Sequence, residues 1–250
     1  MIKFENVFKS FGDNHVLNGL DIDVPDGKIT FIVGKSGEGK SVTIKHIMGL
    51  LKPDKGRVIV DGEDVSDFDK YQVREYRKKF GMLFQHAALF DSLTVADNIR
   101  FPLREQLGMP EEQMSKRIDE VLEQVGLEGL EDKYPSQLST GEKKRVGLAR
   151  ALAAHPKVIL YDEPTTGMDP LISEMIDELI VKVSEDLEGK LTSIVISHDL
   201  KAALATAENI VMLYKGKVIL EGPPKSFRET DDPVIRQFFS GKVEGPMEFL

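Results

Sequence analysis

A chain of 250 residues can bury a substantial core, either as one large α/β domain or as a domain with a subdomain inserted. It carries 42 acidic side chains against 33 basic ones, a net charge of −9, which argues against a generic nucleic-acid binder because phosphate contacts need clustered Lys and Arg. It contains no cysteine, which excludes disulfides, thiolate metal sites and cysteine nucleophiles.

The N-terminus, Met1-Ile-Lys-Phe-Glu-Asn6, lacks the apolar region of a signal peptide. No run approaches the ~18 apolar residues of a membrane span, so a cytosolic soluble protein is expected. Short β-like runs at 2–8, 16–24 and 29–33 are separated by turn signals at 12–14 and 25–27. The third run leads into Gly34-Lys-Ser-Gly-Glu-Gly-Lys-Ser41, a full match to G-x-x-x-x-G-K-[ST], and a helical stretch follows at 42–50. A strand before and a helix after are the setting a phosphate-binding P-loop needs. Gly34, Gly37 and Gly39 let the backbone turn tightly and aim successive N–H groups at phosphate oxygens, and the helix adds the positive end of its dipole. Lys40 is placed to reach the β- and γ-phosphates and Ser41 to ligate Mg²⁺. Glu38 lies inside the loop, where a carboxylate repels a nucleotide unless its side chain turns outward.

A turn at 52–56 and a strand at 57–60 come next, then a short apolar strand at 80–84 that ends at Gln85. Over 111–125, Met114, Ile118, Val121, Leu122 and Val125 recur at helical spacing, opened by Pro110 and closed by Gly126. A second helix runs from Ser139 to about 154, so residues of about 86–154 read as a mostly helical insert. Strand returns at 158–161 and is followed by a helix at 171–187, a strand at 192–196, a helix at 200–207 and a strand pair at 210–214 and 217–220. That alternation predicts an α/β fold with a parallel central sheet. From 222 onward one short helix at 233–239 is expected in what otherwise reads as a tail.

The run Val158-Ile-Leu-Tyr-Asp162-Glu163 puts two carboxylates at a strand end, with Asp162 the candidate Mg²⁺ ligand and Glu163 the candidate water-polarising base. Two solvated acids are the plain alternative. Taken singly, Phe11 reads as a core aromatic, Gln85 is uninformative, and His198 reads as a hydrogen-bonded loop histidine, since His15, His46, His86 and His155 form no metal-ligand spacing. Lys143, Lys144, Arg145 and Arg150, beside Glu142, read as a solvated or anion-facing surface rather than a nucleic-acid patch.

Just upstream of the acidic strand, Leu138-Ser-Thr-Gly-Glu-Lys-Lys-Arg145 resembles the signature motif of ABC ATPases, L-S-G-G-Q. Phe11, the P-loop, Gln85, the signature, the acidic strand, Thr165-Thr-Gly-Met-Asp169 and Ser197-His198-Asp199 fall in that family's order, so the resemblance covers residues 1–225. It implies a P-loop (RecA-like) ABC nucleotide-binding domain with an antiparallel β subdomain and a helical subdomain inserted at about 86–154. It also implies ATP and Mg²⁺ as cofactors and a homodimer in which one subunit's P-loop and the other's signature sandwich each ATP. Carried over position by position, Phe11 would stack on adenine, and Gly34, Ser36, Gly37, Glu38, Gly39, Lys40, Ser41 and Val42 would hold the phosphates. Ser139 and Gly141 would meet the partner's γ-phosphate, and Asp169 would couple the sites. Ser41, Gln85 and Asp162 would hold the metal, while Glu163, His198, Lys40 and Gln85 would form the catalytic set. Thr140 replaces the first signature glycine, at the place where that backbone approaches the opposing nucleotide.

Stretches outside these motifs, 41–49, 82–90, 93–95, 101–105, 145–150, 232–239 and 245–246, resemble the ATPases of Mla or Mce-type lipid transporters. That likeness implies an ATPase that powers phospholipid transport between bacterial membranes. It implies an integral membrane permease, a Mce-domain periplasmic lipid-binding protein, and a peripheral place on the cytoplasmic face of the inner membrane; no nucleic acid is expected. The segment 87–95 suits a groove receiving a permease helix, or local core packing. Residues 226–250 are expected to contact the partner subunit. The alternatives are an ABC ATPase for another substrate and a soluble, non-transport ABC ATPase.

Overall fold

The computed structural model describes residues 1–186, 191–242 and 244–247. Strands β1 (Ile2–Phe11) and β2 (Asn14–Val24) pair antiparallel. Ile2 and Phe4 face the core, and strict alternation would next turn Asn6 inward. Instead the register shifts after Phe4 and Asn6 takes left-handed backbone (φ 49°), so that Val7 is buried. β4 (Lys55–Val60) pairs with the far side of β1, and the short β5 (Glu63–Asp64) pairs with β4. The order β2-β1-β4-β5 is the expected antiparallel layer.

The second sheet has the order β10-β9-β3-β8-β7-β6. β3 (Ile29–Val33) is buried throughout and is flanked in parallel by β8 (Thr192–Ser197) and β9 (Asn209–Tyr214). β7 (Val158–Asp162) pairs in parallel with β8, and β6 (Phe80–Leu83) with β7, while β10 (Lys217–Gly222) turns back antiparallel on β9. Buried on both faces, β3, β7, β8 and β9 read as largely apolar runs, which is what a covered parallel sheet requires, whereas the edge strand β10 is partly exposed. On one face Ile32, Leu160, Ile194 and Val211 pack with α1 (Lys40–Ile47) against the antiparallel layer. On the other, Phe31, Ile159, Val195 and Met212 join the core of the remaining helices.

Those helices are α3 (Val95–Leu107), α4 (Glu111–Gln124), α5 (Thr140–Ala153), α6 (Pro170–Asp186) and α7 (Leu200–Thr206), followed by α8 (Pro224–Glu229) and α9 (Pro233–Ser240). The α4 stripe is buried as its spacing predicts, and Leu187, the expected last residue of the helix from 171, lies outside the described residues. The region expected to hold one helix in a tail holds two, because Pro223 and Pro224 pre-set the backbone that starts α8. Nor does it hang free: Phe227, Ile235 and Met247 are core residues, and the Gln237 side chain accepts from Met247 N (2.6 Å) and donates to Met247 O (3.2 Å).

α2 (Lys70–Arg77) escapes the apolar pattern because only Tyr76 is buried along it. Its start is nevertheless written in sequence, since Asp69 and Gln72 form a capping box.

Candidate functional site

β3 ends where the chain must leave the sheet without touching β9. A Cβ on Gly34 would stand 2.6 Å from Leu213 O, and one on Gly39, which is left-handed at φ 96°, would stand 2.6 Å from Leu17 Cδ2. Glycine alone fits both places, and the backbone passes from Gly39 directly into α1 at Lys40. The helix therefore starts two residues before the apolar pattern begins. Lys40 is buried: its ammonium donates to Gly34 O (2.8 Å) and Lys35 O (2.9 Å) and lies 3.8 Å from Glu163. Desolvation pushes its pKa down, opposed by Glu163, Glu38 and Asp162. Glu38 resolves its own difficulty, because its carboxylate turns out of the loop and accepts from the backbone N–H of Lys215 in the β9–β10 turn.

The parallel register sets Asp162, at the end of β7, beside Ile196 of β8, so the residues that follow these strands are neighbours. Burial pushes the Asp162 carboxyl up, with Glu163 adding to the effect and Lys45, Lys40 and Lys144 opposing it. Glu163 holds left-handed backbone (φ 49°), a conformation that non-glycine residues keep only when their surroundings impose it. Its N–H donates to Ile196 O (2.9 Å). Its carboxylate accepts from the Thr166 hydroxyl and lies 2.6 Å from His198 Nδ1, which is the donor of that pair because a carboxylate can only accept.

Phe11, Ser36, Gly37, Gly39, Lys40, Ser41, Val42, Gln85, Asp162, Glu163, Thr166 and His198 all line one open cleft of about 760 Å³. Phe11 is 48% exposed at its rim, which corrects the core-aromatic reading. His198 is an exposed residue that faces the cleft, beyond the end of β8. Ser41, Gln85 and Asp162 offer hydroxyl, amide and carboxylate oxygens to the same space. That hard-oxygen set, whose buried carboxylate gains from a cation beside it, fits Mg²⁺ shared with phosphates and water. Among the described residues no cluster of His, Asp and Glu could hold a metal alone.

Gly34, Glu38, Ser139, Gly141 and Asp169 do not line this cleft. Ser139 caps α5: its Oγ accepts from Glu142 N (3.2 Å), and Glu142 accepts from Ser139 N (2.7 Å). Ser139 and Gly141 line a separate hollow with Gly126, Arg145, Ile172 and Leu179. Asp169, exposed, caps α6 through Leu171 N (2.9 Å).

Thr166, part of the Thr165–Asp169 stretch but with no role of its own in the sequence reading, joins the site because it lies three residues after Glu163 in the same turn. Three of the four α5 cations, Lys144, Arg145 and Arg150, need a larger correction. Lys144 is buried and donates to Phe84 O (3.2 Å), Arg145 donates to Val125 O (3.3 Å) and Gly126 O (3.1 Å), and Arg150 donates to Ala87 O (2.7 Å) and Ala88 O (2.8 Å). They are therefore not a solvated surface, because carbonyls at loop and helix ends supply the partners water would have been. The segment 87–95 divides: Ala87 and Val95 are core, whereas Ala88 and Phe90 line a groove with Phe84 and Phe101.

Residues 17–166 match the family model described as ABC transporter. The "Probable ribonucleotide transport ATP-binding protein mkl" of Mycobacterium leprae is 37% identical over 98% of this chain and 70% of its own length. The "Intermembrane phospholipid transport system ATP-binding protein MlaF" of Haemophilus influenzae is 39% identical over 100% of this chain and 94% of its own. The solved ATP-binding cassette MJ0796, a dimer in a post-hydrolysis state bound to ADP and Pi, has a TM-score of 0.79 and 34% identity, covering 90% of this chain and 99% of that one.

Proposed function

The chain belongs to the ABC transporter family and is an ATP-hydrolysing subunit of that kind, and from that premise we propose that its cleft is half of a two-chain ATP site whose turnover drives phospholipid transport between membranes. The observation that carries the two-chain site is the separation of its parts. Lys40, Gln85, Asp162, Glu163 and His198 share one cleft, whereas Ser139 and Gly141 open onto another surface of the same chain. A second copy supplies what each cleft lacks.

In this reading the P-loop N–H groups and Lys40 hold the β- and γ-phosphates, and Phe11 stacks on the base. Mg²⁺ held by Ser41, Gln85 and Asp162 supplies charge neutralisation on the phosphates. Glu163, fixed by Thr166 and His198, takes a proton from water as the water oxygen attacks the γ-phosphorus and the bond to the ADP oxygen breaks. Lys40 and His198 meet the charge on the phosphoryl oxygens. Ser139 and Gly141 bring the amide end of the partner's α5 to the same phosphate, and Asp169 links the two sites.

The body at 1–225, with its helical insert at about 86–154, is the catalytic unit of the proposal, and 226–250 contacts a partner. Of that last stretch, 243 and 248–250 lie outside the described residues. The groove with exposed Phe84, Phe90 and Phe101 receives a cytoplasmic segment of an integral membrane permease. The subunit then sits peripherally at the cytoplasmic face of the inner membrane, with a Mce-domain protein on the other side. Likeness to the phospholipid-system ATPase over the whole chain supports this cargo. Likeness to the mycobacterial protein named for ribonucleotide transport favours a second reading, with a different cargo.

The test is to tag the chain, solubilise host membranes in mild detergent, and identify what co-purifies by mass spectrometry. A polytopic permease, a Mce-like protein and phospholipid are expected, with ATPase activity of the complex raised by phospholipid. Stimulation by ribonucleotides alone would favour the second cargo. Ribosomes, nucleic acid or no membrane protein would overturn the transporter role.

A further inference from the structure

Two cations of α5 grip the segment that carries Gln85. Lys144 is 3% exposed and donates to Phe84 O, the carbonyl immediately before Gln85. Two turns on, Arg150 donates to both Ala87 O and Ala88 O. Ala87 (φ 55°) and Ala88 (φ 49°) hold left-handed backbone, which two consecutive non-glycine residues keep only under external restraint. Gly147 lies between the cations: a Cβ there would stand 2.8 Å from Leu83 Cδ1 and 3.3 Å from Ala87 Cβ. A Cβ on Gly81 of β6 would stand 2.5 Å from Ala151 O. Lys144, Gly147 and Ala151 share one helix face, so α5 lies close against β6 and its following segment, backbone to backbone at Gly81 and Ala151 and with only the Leu83 and Ala87 side chains filling the gap at Gly147. The same helix begins at Ser139.

We propose that Lys144 and Arg150 are positioning residues that lock the Gln85 segment of one ATP cleft to the signature helix serving the opposite cleft, so that the two sites of the dimer respond to each other through α5. The inference rests on the two-chain site proposed above. A displacement of Gln85 by nucleotide reaches Lys144 through one peptide unit, and one turn of helix carries it to Gly141 and Ser139. By linkage, occupation of the signature end constrains Gln85 in return. Burial pushes the Lys144 ammonium down to about 8, with the Asp162 carboxylate opposing that shift, so it remains charged at neutral pH.

The experiment compares full-length wild type, Lys144→Met and Lys144→Arg. In Lys144→Met the dissociation constant for a fluorescent ATP analogue stays within about twofold of wild type, kcat falls about tenfold, and the Hill coefficient for ATP drops toward that of independent sites. Lys144→Arg, which keeps a buried cationic donor, recovers most of both. The proposal is overturned by wild-type kcat and cooperativity in Lys144→Met, or by a Lys144→Arg variant as impaired as Lys144→Met. It is equally overturned by a loss of kcat that merely follows falling melting temperature and ATP affinity. Gel filtration of Glu163→Gln with ATP reads the premise separately: absence of an ATP-dependent dimer there would remove the two-chain site itself.

Discussion

The cleft at the strand ends and the helix α5 use charge in opposite ways. Lys40, at the start of α1, and Asp162, Glu163 and His198, at or just beyond the ends of adjacent parallel strands, face one open space, where Glu163 joins Lys40 (3.8 Å) to His198 (2.6 Å) although Lys40 also donates to Gly34 O and Lys35 O. Lys144, Arg145 and Arg150 point into the chain, and their partners are backbone carbonyls. A charge whose partner is another titratable group in a cleft is available to a substrate. One spent on carbonyls fixes the distance between two pieces of backbone, and its loss is felt as slack.

Glu163→Gln separates these uses most sharply. The amide keeps the shape of the side chain and cannot take a proton, so turnover falls by a factor of about 100 or more. ATP binding, which rests on the P-loop, is retained. Steady-state phosphate release and equilibrium binding of a fluorescent ATP analogue check both halves; activity within tenfold of wild type would break the assignment of Glu163 as the base.

Gly147→Val attacks the fastener instead. The new side chain displaces the end of Leu83 (2.8 Å from the added Cβ) and crowds Ala87 (3.3 Å), and the shifts this forces cost about 2 kcal/mol. For a chain of this size the melting temperature drops by roughly 4–8 °C, read by calorimetry. Affinity for the ATP analogue at the P-loop stays near wild type. An unchanged melting temperature would mean that α5 is not held closely against Leu83 and Ala87.

Much of the cleft was legible because its chemistry is local. The P-loop needs closely spaced glycines and one lysine, and the ends of β3 are legible because all of it but Thr30 is apolar. The acidic pair was legible for the same reason, as the polar end of an apolar strand. The fastening residues were not, since whether Lys144 meets water or Phe84 O depends on how α5 lies on β6, a contact between positions sixty apart in sequence. Glu38 shows the same limit: its partner, the N–H of Lys215, lies in a turn 177 residues away. α8 carries only Phe227 as a buried residue, too little for an apolar period to register.

Phe11→Ala tests the rim of the cleft, where the effect is smaller. The ring is half exposed and lies 5.7 Å from the Lys9 ammonium. Loss of one stacking surface is worth about 1 kcal/mol, so KM for ATP rises about fivefold while kcat holds. A fall in kcat without a change in KM would place Phe11 in the chemistry rather than in binding.

Two carboxyls with raised pKa values complete the contrast. Asp162 opens on the cleft, and Lys45, Lys40 and Lys144 oppose the effect of its burial. Asp177, on α6, lines a neighbouring hollow with Glu174, Glu178, His198, Asp199 and Lys201. Desolvation first, then Asp199 and Glu174, pushes its carboxyl from the ordinary 3.8 up to about 6. Because the folded value lies above the unfolded one, the cost to stability is full above about pH 6, shrinks as pH falls through that value, and vanishes below the unfolded pKa. Asp177→Asn therefore raises the melting temperature at pH 7.5, and the two melting curves converge near pH 4. The gain is roughly 1 kcal/mol or less, since solvent screens a group only partly buried. Phosphate release at pH 7.5 is unchanged, whereas Asp162→Asn abolishes it. A melting-temperature difference of equal size at both pH values would show that the Asp177 charge carries no cost, and would leave its position beside Asp199 without an electrostatic consequence.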